Sequence, residues 1–374
     1  MTAPASGSRI VVLDSLRAVA ALVVAFHHVW LKFSPQIAAT LPESVVEVLN
    51  RVQEYNHQAV LAFFVISGYS IALAVKRRPF TDGLSIRQYL LRRFLRIVPL
   101  FYLSLAWTAV LGKIAPERAS EFGGWTLLGN LLFLQTSRVG VNTWFPPYGG
   151  NGPYWSLSYE MWYYLALPLV LGVLGATSAL TDRNRWAIVV LGVFALIVGL
   201  GLRNVAPSPF LAFAALWIVW LTGYIARGLS PTPMAAALLL SPVLAAAGMG
   251  AILSAFGRGS DTLTLAIEGT AMGAVFGGLA TWRSWTILPQ IQFLGRFFNL
   301  LFARIGRGSY ALYLFHFPLI QVAHLLLVRA GMAPLLLNFA LIASAWFVVA
   351  FCPWIERVSL EAARWRPRRT AMAA

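Results

Sequence analysis

Apolar stretches long enough to cross a bilayer follow one another almost end to end along this chain. They fall at roughly 14–33, 58–76, 98–114, 158–177, 186–203, 208–227, 233–256, 262–281, 308–329 and 333–353. A helix needs about 20 apolar residues to span a hydrocarbon core about 30 Å thick. Within lipid, backbone polar groups must be satisfied internally, which a helix achieves and an open loop does not. The pattern predicts an all-α fold, a polytopic membrane helix bundle of about ten transmembrane helices. Charged residues make up 11% of the 374, against about 25% in a soluble domain. No polar block is long enough to fold separately. Residues 1–374 therefore read as a single transmembrane domain with a short basic tail at about 354–374. A shorter apolar run, Thr126 to Thr136, is too brief for a crossing and reads as re-entrant or interfacial.

The formal net charge is +16, from 29 basic and 13 acidic residues. In a soluble protein that excess suggests nucleic acid, but loop arginines of a membrane protein chiefly set its orientation. The basic residues alternate accordingly. Lys76, Arg77, Arg78, Arg87, Arg92, Arg93 and Arg96 fall between the second and third stretches, and Arg283, Arg296, Arg304 and Arg307 between the eighth and ninth. Arg357, Arg364, Arg366, Arg368 and Arg369 end the chain. The opposite loops hold few, such as Arg51, Arg118 and Arg258, together with Glu43, Glu47, Glu54, Glu117, Glu121 and Asp261. This places both termini in the cytoplasm, and no nucleic-acid partner is expected. Asp14 and Arg17 interrupt the first stretch and no small-x-small cleavage site follows, so it reads as a retained span. The single cysteine, Cys352, excludes an internal disulfide and a cysteine-based zinc site. No H-E-x-x-H spacing and no Walker A loop occur, so neither a metal nor a bound cofactor is expected.

Ionisable groups inside a span are costly unless partnered, which makes them candidates for function. Arg17 and His28 lie eleven positions apart, on one helix face and about 16 Å apart along the axis. Asp14 precedes Arg17 by three and shares that face. In the second stretch Ser67-Gly68 permits close helix approach. Arg93 and Arg96 share a face at the start of the third, where guanidinium forks suit either phosphates of a nucleotide-bearing donor or lipid headgroups. Glu160 enters the fourth stretch behind Pro153, Tyr154 and Trp155, with Tyr163 and Tyr164 one turn on. A histidine paired with such a carboxylate supplies a general base and its orienting partner. His316 lies mid-span near Tyr313 and Pro318, and Glu268 is buried in the eighth stretch. His27 and His324 have no comparable context and read as structural.

Five of these segments, in order, resemble the acyltransferase-3 family of integral membrane O-acyltransferases. They are Leu13-Asp14-x-Leu16-Arg17 with His28, Phe63-Phe64-Val65-Ile66-Ser67-Gly68-Tyr69, and Arg93-x-x-Arg96 with Pro99. Then come Trp155-Ser156-Leu157-Ser158-Tyr159-Glu160 with Tyr163-Tyr164, and Gly306-Arg307-x-Ser309-Tyr310-x-Leu312-Tyr313-Leu314-x-His316-x-Pro318. The likeness extends to Trp354-Ile355-Glu356-Arg357. It departs at Met161-Trp162-Tyr163, where the family often has a second acidic residue and Gln-Phe-Tyr.

The resemblance implies transfer of an acyl group, usually acetyl from cytoplasmic acetyl-CoA or another acyl-CoA, to a hydroxyl of a carbohydrate. The acceptor would be an exopolysaccharide or lipid-linked sugar, and the setting the bacterial inner membrane. It implies His28 as the base, with Glu160 at similar depth orienting it or binding the sugar, and a covalent acyl-histidine as a variant. Arg17, Arg93 and Arg96 would bind the donor, and Ser67, Tyr163 and His316 would line the acceptor pocket. Two other readings stay open on the residues: acylation of a macrolide-like metabolite, and a transporter or flippase with an Arg/His/Glu path. The two halves share no visible repeat, which weakens an inverted-repeat transporter.

Overall fold

The computed structural model of the chain describes residues 11–114, 120–136, 144–176, 181–202, 210–230, 232–255, 261–281, 302, 305–329 and 354. Its helices are α1 (Val11–Ala38), α2 (Glu43–Glu54), α3 (Asn56–Arg77), α4 (Gly83–Ile114), α5 (Gly124–Leu131) and α6 (Trp155–Val173). After these come α7 (Asp182–Leu202), α8 (Phe210–Ala226), α9 (Pro233–Ala255), α10 (Asp261–Thr281) and α11 (Ser309–Arg329). Among the described residues there is no strand; an isolated bridge pairs Gln135 with Phe145. Helices occupy the first nine apolar stretches of the sequence. The tenth stretch at 333–353, Cys352, the tail beyond Trp354, and Arg118, Arg258, Arg283, Arg296 and Arg304 lie outside the described residues.

Among the described residues, five helical segments are long and apolar enough to cross a membrane: Leu13–Ala38, Glu43–Arg77, Gly83–Lys113, Asp182–Leu202 and Pro233–Ala255. α8 is shorter and apolar on every side. A helix with that composition belongs in the interior, and nearly all of α8 is buried, against α3, α7 and α10. α3 and α8 approach each other backbone to backbone. A β-carbon on Gly68 would fall on the Trp220 carbonyl oxygen, and one on Gly223 would fall on the Val65 carbonyl oxygen. The Ser67-Gly68 notch expected from the sequence is therefore a true helix crossing, matched by a second glycine on the partner. Gly306 does the same against the Asp14 carbonyl, bringing the segment before α11 onto α1.

Two segments between the spans carry short helices of their own. α2 is too short and polar to span, but Val45, Val48 and Val52 form one face and Glu47 pairs with Arg51 at 2.5 Å on the other. Such i, i+4 pairs favour a helix over a loop. α2 also ties down the end of α1, as Trp30 Nε1 donates to Asn50 Oδ1 at 2.8 Å and His27 Nδ1 to Gln53 Oε1 at 2.8 Å. α5, which opens the 126–136 run, has eight residues, a rise of about 12 Å that falls well short of a crossing. The chain then reverses through Phe133, at φ 57°, and returns to pair Gln135 with Phe145.

Candidate active site

α1, α3, α4, α6 and α11 together line a partly open recess. Arg17, Arg93, Arg96, Ser67 and Glu160 all line it, joined by Ser70 and Tyr164. The arginines from α1 and α4 thus meet the carboxylate from α6 in one space, although 143 positions separate Arg17 from Glu160 along the chain.

Each charge is held differently. Arg17 Nη1 donates to Asp14 Oδ1 at 3.1 Å, the i, i+3 pair expected from the sequence, and Nη2 donates to Ser70 Oγ at 2.5 Å. Ser70 passes its own hydrogen to the Ile66 carbonyl at 2.7 Å. Asp14 is 3% exposed, and a carboxylate so deep is stable only with its cation beside it. The Arg93 guanidinium lies 5.7 Å from the Tyr89 ring centre and 5.9 Å from that of Tyr164, within cation–π range of both. Its Nε is buried and bonded to none of the described residues.

Glu160 Oε1 accepts from Ser67 Oγ at 2.7 Å and from the Tyr164 hydroxyl, a residue one helical turn on. Trp220 Nε1 on α8 in turn donates to Ser67 Oγ at 3.3 Å. Both bonds fall on one carboxylate oxygen, Oε1. Tyr164→Phe removes one of the two donors while keeping the ring under Arg93. Turnover is expected to fall about 10- to 100-fold, since a hydrogen bond to a charged group contributes about 1.5–3 kcal/mol. Rate measurements on the purified variant check this, and an unchanged rate would leave Ser67 alone as the anchor of Glu160.

His28 is not among the lining residues and does not meet Glu160. Ser67, which holds Glu160, lies three residues from Ser70, which holds Arg17; the carboxylate is therefore within about one turn of Arg17. That overturns the expected similar depth of Glu160 and His28. The reason is the side-chain contact of Glu160 on α6 with Ser67 on α3, which a span count does not contain. His28 instead meets α11: its Nδ1 lies 3.2 Å from His316 Nε2 and 2.8 Å from the Val24 carbonyl oxygen. Tyr313 lines the recess, and its ring centre is 6.0 Å from that of His316. Neither His28 nor His316 is among the lining residues.

Tyr163 does not reach the recess. It is fully buried, donates to the Phe213 carbonyl at 2.8 Å and packs on Trp217 and Trp220. Tyr164 takes the position expected of it, and the i, i+4 spacing from Glu160 was the available signal. Ser156, Ser309, Tyr310 and Tyr313 also line the recess. Tyr313 is fixed by Ser156 Oγ at 2.8 Å and by the Pro153 carbonyl at 3.0 Å. Before α6, Tyr154 bonds Ser104 at 2.6 Å and Thr108 at 3.0 Å. Burial pushes its hydroxyl up to about 12, so it remains a neutral strut between the loop and α4. His27 is held by Gln53, His324 packs on Phe33 with ring centres 5.4 Å apart, and Glu268 accepts from Gln58 Nε2 at 2.9 Å. None of the three lines the recess. Among the described residues no group of three or more His, Cys, Asp or Glu could hold a metal.

A family model described as an acyltransferase domain, of the acyltransferase-3 type, matches residues 10–357. No curated protein and no solved structure matches the chain.

Proposed function

The chain belongs to the acyltransferase-3 family, and on that premise we propose that it moves an acyl group, acetyl by preference, from cytoplasmic acyl-CoA to a carbohydrate hydroxyl. The observation that carries this reading is the convergence of Arg17, Arg93 and Arg96 with Glu160 and Ser67 in one recess. Guanidinium forks bind phosphates in pairs of charge-assisted hydrogen bonds, so the arginines suit a donor bearing several phosphates. The pantetheine arm then runs past Glu160 toward Tyr313 and the histidines. About ten spans with both ends cytoplasmic, in the inner membrane of a bacterium, fit the alternation of basic loops. The acceptor is an exopolysaccharide or lipid-linked saccharide.

In this mechanism His28 Nε2 takes the proton from the acceptor hydroxyl as its oxygen attacks the thioester carbonyl carbon. The carbon–sulfur bond breaks, and the proton passes on to the leaving thiolate to give free CoA. Glu160, held by Ser67 and Tyr164, is assigned to binding the acceptor rather than to orienting His28.

The test is release of CoA thiol by the full-length protein in detergent, with acetyl-CoA as donor and the saccharide extract of the parent cell as acceptor. Thiol release that depends on the extract, with an acyl mass added to the glycan, supports the reading. No release above a boiled control overturns it and favours a transporter. Arg93→Ala and Arg96→Ala are each expected to raise KM for acetyl-CoA about 10- to 100-fold, the worth of one charged hydrogen-bonded contact. Their kcat should stay within about threefold of the parent, as the contact is made equally in ground and transition states. A fall in kcat with unchanged KM would move the arginines from donor binding to the reacting centre.

A further inference from the structure

We infer that His316 is a positioning residue for His28: it holds that imidazole in the tautomer whose Nε2 can take a proton, and stabilises the charge that follows. The inference rests on the proposed role of His28 as the base.

The hydrogen positions follow from the acceptors. His316 Nδ1 lies 2.9 Å from the Leu312 carbonyl oxygen, and a carbonyl only accepts, so Nδ1 carries the hydrogen. In the neutral ring Nε2 is then a bare lone pair, and it faces His28 Nδ1 at 3.2 Å. His28 Nδ1 also lies 2.8 Å from the Val24 carbonyl oxygen. It must therefore carry a hydrogen too, shared between that carbonyl and His316. Two acceptors on Nδ1 leave the lone pair of His28 on Nε2, the nitrogen engaged by none of the described residues. The ring cannot easily swing away, because Phe317 meets it edge-on at 4.9 Å and His27 at 5.0 Å.

The choice of a second imidazole has a physical reason. In hydrolytic triads a carboxylate orients the base and stabilises the imidazolium. A permanent carboxylate within a span is costly, whereas two neutral imidazoles carry no charge at rest. Charge arises only while His28 holds the proton, and the Nδ1–H bond to His316 then strengthens to a charge-assisted one. His316 is 3% exposed and lines no part of the recess, so it acts through His28 and not on substrate.

Full-length protein with His316→Ala, His316→Gln or His28→Ala, assayed with acetyl-CoA and the saccharide extract, tests this. His316→Ala is expected to lower kcat about 100-fold with KM for both substrates unchanged. His316→Gln, whose amide oxygen can accept the Nδ1 hydrogen, should recover to within about tenfold of the parent. Full kcat in His316→Ala, a raised KM, or no recovery in His316→Gln each overturns the inference. Normal turnover in His28→Ala instead overturns the base assignment, and a silent His28→Ala beside a fully active His316→Ala overturns only the role of His316. A measurement independent of turnover is the ¹⁵N spectrum of histidine-labelled protein. It should show an N–H···N coupling between the two rings, lost in His316→Gln; no coupling in the parent protein overturns the inference whatever the activity.

Discussion

His28→Ala is expected to reduce acyl transfer about 10³-fold, within the range that a positioned general base contributes. The variant should still be purified as a monodisperse species with the elution volume of the parent. The two halves of this expectation have separate origins. In the proposed mechanism turnover depends on the lone pair at His28 Nε2, which alanine lacks and no neighbour replaces: His316 turns its own Nε2 toward His28, and Glu160 is held by Ser67 and Tyr164. Folding depends on α1 packing against α3 and α11, which the Ala18, Ala20, Ala21 and Val24 surfaces supply and alanine at 28 leaves in place. Thiol release from acetyl-CoA, measured beside size-exclusion chromatography, separates the two. Undiminished turnover removes His28 from the mechanism and with it the role proposed for His316.

Gly68→Val should have the largest effect on the fold. The added β-carbon falls on the Trp220 carbonyl oxygen, and the reciprocal contact of Gly223 with Val65 leaves α8 no direction in which to slide. Overpacking in a tight core typically costs about 1–3 kcal/mol and occasionally more. A clash with backbone at the central helix belongs at the upper end, because no rotamer change relieves it. The monodisperse yield is expected to drop to about a tenth of the parent or less. Gly68→Ala carries the same β-carbon and should be impaired in the same direction. Gly172→Ala is the matched control: it lies inside α6 with nothing within 4 Å of its added carbon, and it should be neutral or slightly stabilising through helix propensity alone. Equal yields for Gly68→Val and Gly172→Ala would mean that the α3–α8 crossing is looser than its geometry.

Part of the site was legible in the residues before any coordinates. Asp14 and Arg17 stand three apart on one helix and do pair. Arg93 and Arg96, also three apart, do face one recess. The Ser67-Gly68 notch is a helix crossing. These are local relations, fixed by 3.6 residues per turn. Tyr163 and Tyr164 stand three and four residues after Glu160, both near its face, and only packing separated them. α2 escaped a reading tuned to spans of about 20 residues, because its signal is amphipathic rather than apolar.

The partner of His28 was not legible. A histidine and a carboxylate near neighbouring boundaries suggested a pair, but the structure joins His28 to His316, 288 positions away, and keeps Glu160 with the arginines. Hydropathy and charge along the chain suffice to show a bundle of membrane-length helices and which ionisable groups lie along each. Hydrocarbon penalises an unpaired backbone group and a buried charge wherever they occur, so both leave their mark in the order of residues. Which of those groups meet is a matter of helix packing. Helices in lipid gain nothing from apolar pattern in choosing neighbours, and the choice passes to shape, here the glycines that let α8 lie against α3 and draw the start of α11 onto α1.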